Sequence, residues 1–199
     1  MDMLVVKQME KLWESRKYGR LLEELLAWRV ESLAADELRQ HACLASAALA
    51  LIRLDELHQG NATICPTFIR AILAHQDRDG GWGDPMLTAL CLRALSINDG
   101  SGEGPARGLA YLADLQQASG IWPRIPIRRM PQDAFVSAFV LLQLGENERF
   151  RAAVDLTAAL AWFESHLDEC DGPTRILWSH AKLRAAPILR PDTLWQLSN

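Results

Sequence analysis

The sequence lacks most features that announce a function directly. Basic residues are not in excess. Lys and Arg total 21 against 25 Asp and Glu, a net charge of −4. That balance argues against nucleic acid as the main partner, because phosphate binding needs a basic face. No apolar run approaches the ~18–20 residues that a membrane span requires. The richest stretch, Ala42 to Ile52, is alanine-rich and reads as a buried helix. The N-terminal run Met3 to Val6 is too short for a signal peptide core, so the expected location is the cytoplasm. The four cysteines, Cys43, Cys65, Cys91 and Cys170, form no CxxC pair and read as reduced, mostly buried thiols. Cys65-Pro66 has the form of a haem-regulatory dipeptide, but Pro66 also suits the first turn of a helix, and that plainer reading is adopted. No segment alternates apolar and polar residues as a strand would. No cofactor is expected.

What remains is an all-α pattern. At 199 residues, 49% hydrophobic and 23% charged, the chain suits one soluble folded domain with a real core. The periodicity predicts helices over 2–28, 35–57, 65–76, 85–97, 104–118, 132–144, 147–167, 172–187 and 191–197. Glycine, proline and asparagine clusters separate them. Asp84-Pro85 is a strong helix start, with a capping carboxylate followed by a proline at the first helical position.

Two segments repeat one pattern. HQDRDGGWGD and LQQASGIWP place Gln76, Gly80 and Trp82 at the same spacing as Gln116, Gly120 and Trp122, 40 residues on. After each comes a helix opening D-x3-[ST]-A. It is Asp84, Thr88 and Ala89 in the first copy and Asp133, Ser137 and Ala138 in the second. The second copy carries a longer turn, PRIPIRRMPQ. A weaker upstream half-unit falls at 38–54, with Ser46-Ala47 in the matching place. A worn downstream unit at 160–183 has lost the glutamine and the tryptophan. A helix pair of this size cannot bury its apolar face alone, whereas stacked neighbours can. The expected fold is an α/α solenoid or partial α/α toroid of about four helix pairs. It is read as a single helical-repeat domain over 1–199, with N-terminal helices at 1–60, the best-matching repeats at 65–145 and a degenerate repeat at 147–199. The alanine-rich second helices belong inside, and more charged ones such as 107–117 outside.

These units resemble the QW-type repeat of terpenoid cyclases and of protein prenyltransferase β-subunits. Arg107, Gly108, Leu112, Gln116, Gly120 and Trp122 fit that pattern fully, and Gln76, Gly80 and Trp82 fit its second half. The resemblance implies an α/α toroid around an apolar cavity. A full toroid of that kind needs about six pairs, so this chain is expected to be open, distorted or completed by another chain. Physically, the glutamine amide can bond free backbone groups at a neighbouring helix end, the tryptophan ring can stack on that amide, and the glycine permits the turn. The motif therefore reads as a structural clasp between helices.

Chemistry is harder to find. The resemblance implies a DxDD acid for cyclisation by protonation, and the sequence has none. Asp77 with Asp79, and Asp168-Glu169 with Asp171, read as solvated turn residues. Asp133 opens an inner helix and reads first as a cap, with a cavity acid as the weak catalytic alternative. Prenyltransferases hold zinc with Asp, Cys and His. Asp168, Cys170 and His180 supply those types but not the surrounding sequence, so no metal is expected. The most distinctive feature is the arginine turn. Arg124, Arg128 and Arg129, with Gln132 and Asp133, are the candidate ligand- or partner-binding residues. The plainer alternative pairs these arginines with nearby acids such as Glu146 and Glu148. Of the seven tryptophans, Trp13 and Trp28 lie outside the repeats and read as core residues, with a partner face as the alternative.

The functional expectation is a non-catalytic helical-repeat binding module or accessory subunit. It would have a protein partner or form a homodimer. The alternative is a small isoprenoid- or lipid-binding protein, or a cyclase- or transferase-like enzyme, with an apolar small molecule in a cavity of roughly 300 Å3 or more.

Overall fold

A computed structural model describes residues 35–97 and 102–185, with side chains from 39 onward. The helices expected at 2–28 and 191–197, with Trp13, Trp28 and Trp195, lie outside the described residues. Within them the protein is all-α. The helices are α1 (Ala35–Glu56), α2 (Cys65–Ala74), α3 (Pro85–Ser96), α4 (Glu103–Leu115), α5 (Ala134–Leu144), α6 (Glu148–Ala153), α7 (Leu156–His166) and α8 (Gly172–Ala185). A 3-10 turn, Leu167–Glu169, leads from α7 towards α8.

Short polar side chains start these helices by accepting from otherwise unbonded amides. Asp84 accepts from Leu87 N at 2.7 Å and Asp133 from Val136 N at 3.0 Å. Asn147 serves Phe150 N at 3.0 Å, Asp155 serves Ala158 N at 2.9 Å, and Asp171 serves Thr174 N at 2.8 Å. Hydrogen bonding from Thr174 holds the Asp171 carboxyl below the usual carboxylate range.

Four helices form an inner row in which α1 packs on α3, α3 on α5, and α5 on α8. Side chains in their last turns join them. Arg93 of α3 donates to Gln143 Oε1 of α5 at 2.8 Å and lies 3.7 Å from Glu56 Oε1 of α1. Arg184 of α8 donates to the Leu142 carbonyl of α5 at 3.2 Å. Their C-terminal ends therefore meet, and the four helices run parallel. The turns that lead into α3, α5 and α8 consequently share the opposite end of the row. On the outside, α2 packs on α1 and α3, and α4 packs on α3 and α6.

The two central inner helices, α3 and α5, are covered on every side, whereas α8 keeps an exposed face. Every residue of α3 from Pro85 to Leu92 is buried, as is every residue of α5 from Val136 to Leu141. One continuous apolar core runs from Leu44 to Ala181. In the last pair the ring of Phe163 stacks on Trp178 with centroids 4.3 Å apart.

Several sequence-based boundaries move. α2 stops at Ala74 rather than 76 and α4 at Leu115 rather than 118, and α5 starts at Ala134 rather than 132. In each case the repeated turn claims the flanking residues for its own bonds. The helix expected over 147–167 is two helices, α6 and α7, broken at Val154 and Asp155. The reason lies in the clasp described next. Ser46 Oγ donates within α1 to the Ala42 carbonyl at 2.8 Å, as Ser137 Oγ does within α5 to the Asp133 carbonyl at 2.7 Å, and the turn that would precede Ser46 lies outside the described residues.

Candidate functional site

The repeated turns are built alike atom by atom. Gln76 Nε2 donates to the Gly80 carbonyl at 2.7 Å, and Gln116 Nε2 to the Gly120 carbonyl at 2.7 Å. The indole N–H of Trp82 reaches the Ile72 carbonyl at 2.7 Å, and that of Trp122 the Leu112 carbonyl at 2.7 Å. Both rings are fully buried. The Trp82 backbone N–H donates to Thr88 Oγ1 at 2.9 Å, and the Trp122 backbone N–H to Ser137 Oγ at 2.9 Å. The hydroxyl position of D-x3-[ST]-A thus ties each turn to the inner helix that follows. Gly80 and Gly120 have φ of 95° and 89°, the left-handed region that favours glycine. A Cβ at Gly80 would lie 2.6 Å from the Arg107 carbonyl oxygen, and one at Gly120 would collide with the Ala158–Ala159 backbone.

Each clasp also reaches forward into the next unit. Gln76 Nε2 donates to the Gly104 carbonyl at 2.8 Å, at the start of α4. Gln116 Nε2 donates to the Asp155 carbonyl at 3.0 Å, and Gln116 Oε1 accepts from Asp155 N at 2.8 Å. That second bond uses the amide which a continuous helix through 155 would need, so α6 and α7 separate there. The glutamines bond a neighbouring helix terminus, and the indoles are anchored through their own N–H groups. Arg107 closes the seam from the other side, donating to the Asp77 and Arg78 carbonyls at 2.8 and 3.1 Å. Beside it, Gly108 lets α4 approach Trp82, whose ring carbon would lie 2.8 Å from an added Cβ.

The arginine loop leaves this frame between Trp122 and Asp133. A β-bridge of Pro123 with Gln132 closes its base, where Asp133 N donates to the Trp122 carbonyl at 2.9 Å. Ser119 Oγ donates to Gln132 Oε1. Gln117 Nε2 donates to the carbonyls of Met130 at 2.7 Å and Arg128 at 3.1 Å. Arg124 Nε lies 3.1 Å from Asp133 Oδ2. The side chains above this base face solvent. Ile125 and Ile127 are 45% and 54% exposed, and Arg128 and Arg129 are exposed. The ion pairs among the described residues do not use Arg128 or Arg129. Glu146, a partner suggested by sequence proximity, instead lies 4.0 Å from Arg184.

Of the sequence-predicted residues, the structure brings Arg124, Gln132 and Asp133 together at the loop base and leaves the side chains of Arg128 and Arg129 exposed. Asp133 is a helix cap and an ion-pair partner of Arg124. Asp168 and His180 are exposed while Cys170 is buried, and among the described residues no three His, Cys, Asp or Glu side chains are placed to hold a metal ion. Burial pushes the Cys170 thiol up, and the adjacent Asp171 adds to this. Cys91 is fully enclosed in α3, and burial pushes its thiol far above the ordinary range, with Asp84 adding to the effect. Neither is a poised nucleophile. An open groove of about 260 Å3 lies between α3, α4 and α6, lined by Leu92, Ser96, Pro105, Leu109, Asn147, Glu148 and Arg149. It sits at the C-terminal end of α3, the opposite end from the arginine loop. Sequence reasoning missed this groove and the Glu56–Arg93–Gln143 ladder, since both join residues far apart in the chain. No helix among the described residues is long and apolar enough to cross a membrane.

Comparison with protein-family models, with curated proteins and with solved structures gives no match.

Proposed function

We propose that this chain is a non-catalytic helical-repeat binding module, an accessory subunit or self-associating protein built like part of a terpenoid-cyclase or prenyltransferase toroid. The observation that carries this reading is the filling of the inner row. A cavity protein of that family would line its chamber with inner helices, but α3 and α5 are buried on every side by packed side chains. The groove beside them is open, carries Asn147, Glu148 and Arg149, and falls below the ~300 Å3 at which small-molecule pockets begin. The outward-facing chemistry lies instead in the arginine loop, a surface suited to a macromolecular partner.

Native mass spectrometry of protein purified gently from its own host tests this. A second polypeptide, or a homodimer carrying no small molecule, supports the module. A co-purified compound of isoprenoid or lipid mass overturns it in favour of the cavity protein and calls for transferase and cyclase assays.

A further inference from the structure

The two repeated turns make the same clasp with very different lengths of chain. Between tryptophan and capping aspartate the first has one residue, Gly83, and the second has ten, 123–132. The bonds from indole, glutamine and hydroxyl agree within about 0.1 Å between the copies. The additional residues are therefore not what closes the clasp. They nonetheless carry two half-exposed isoleucines and three arginines. Two half-exposed isoleucines alone would be ordinary, but beside Arg128 and Arg129, which none of the ion pairs among the described residues uses, they make a small amphipathic surface. Gln117 and the Pro123–Gln132 bridge tie down the base of the loop and the carbonyls of Arg128 and Met130, which leaves less chain to order on docking.

We propose that this loop is a docking element for an acidic protein segment carrying aliphatic residues. Its carboxylates would meet Arg128 and Arg129, and its apolar side chains would cover Ile125 and Ile127. Charge complementarity selects this occupant. Guanidinium groups bind carboxylates through paired, charge-assisted hydrogen bonds. An anionic bilayer also carries negative charge, but the neighbouring turns at this end of the inner row bear exposed acids. Asp77 and Asp79 precede α3, and Asp168, Glu169 and Asp171 precede α8. A bilayer spreads its charge over a far broader face than a single extended segment does, so it brings more of that charge towards carboxylates at this end.

The inference rests on the binding-module reading, and its test separates the two. The full chain is applied to an array of random 12-residue peptides, alongside R128E/R129E, I125S/I127S and vesicles of phosphatidylcholine with 30% phosphatidylserine as a probe. The expected result is enrichment of peptides that combine several Asp or Glu with Leu, Ile or Val. Signal should fall about tenfold or more in either double variant, consistent with loss of charge-assisted bonds or of apolar cover, while thermal unfolding is unchanged. Enriched peptides without acids, binding retained in R128E/R129E, no enrichment over that variant, or binding to vesicles alone would each overturn the proposal. If native mass spectrometry finds a partner that R128E/R129E still holds, the module stands and only the loop assignment falls.

Discussion

The turn at 76–84 and the turn at 116–133 are two solutions to one problem. Both end an outer helix, bury a tryptophan and launch an inner helix from a capping aspartate. The first does so with almost no chain to spare. The second makes the same bonds and then carries a loop over them. The comparison separates what the fold requires from what it merely carries. The glutamine, positive-φ glycine, tryptophan and following hydroxyl occur in both copies. The arginines and isoleucines occur in one.

The largest expected effect comes from the shared indoles. Trp82→Ala and Trp122→Ala should each cost about 3–5 kcal/mol, the usual range for a fully buried large aromatic. Urea unfolding measures both. A much milder loss at 122 would mean that the long-loop copy is not the equal of the short one.

Next come the glutamines, where the copies should differ. Gln116 makes three bonds and is buried, while Gln76 makes two and is half-buried. Gln116→Ala is expected to cost about 2–3 kcal/mol and Gln76→Ala about 1–2, because buried backbone groups are left without partners. Equal losses in the same unfolding experiment would count against the forward bond to Asp155.

Smaller effects test the aspartate. Asp133→Ala should lower stability by about 1 kcal/mol by removing a helix cap, and Asp133→Asn by only a few tenths, since asparagine caps as well and the lost pair with half-exposed Arg124 is worth little. A loss in Asp133→Asn as large as in Asp133→Ala would argue that the negative charge has a role beyond capping.

Only a modest change is expected from the largest edit. Replacing 123–132 by a single glycine, as in Trp82-Gly83-Asp84, should change the folding free energy by no more than about 2 kcal/mol, since each doubling of loop length costs only ~0.6 kcal/mol. A cooperative transition at nearly the original temperature, followed by circular dichroism, would confirm that the loop is carried. Loss of the transition would make it structural.

Much of the fold was legible because it depends on local signals. Asp84-Pro85 announced a helix start, and the matched spacing of Gln76 and Gln116 to their tryptophans announced a repeated turn. The roles of Asp84 and Asp133 as caps followed from residue type and position. What escaped was non-local. RAAVDLTAAL reads as one helix, and only Gln116, 39 residues earlier, reveals why it breaks at Asp155. Glu56, Arg93 and Gln143 look like ordinary surface residues until parallel packing brings their helix ends together. The arginine loop was visible as composition, whereas its rigid base, set by Gln117 and the Pro123–Gln132 bridge, was not.

The forward-reaching glutamines bond to backbone atoms of the next unit, to Gly104 and Asp155, and not to its side chains. At these bonds the seam asks nothing of the next unit's side chains, although Arg107 and Gly108 add side-chain terms at the first joint. The two clasped pairs each end in a socket for the backbone of a following helix start. Side chains that neither bond nor pack at a joint can drift while it holds, so a further pair could be added by duplication if it kept the glycines that the close approach requires.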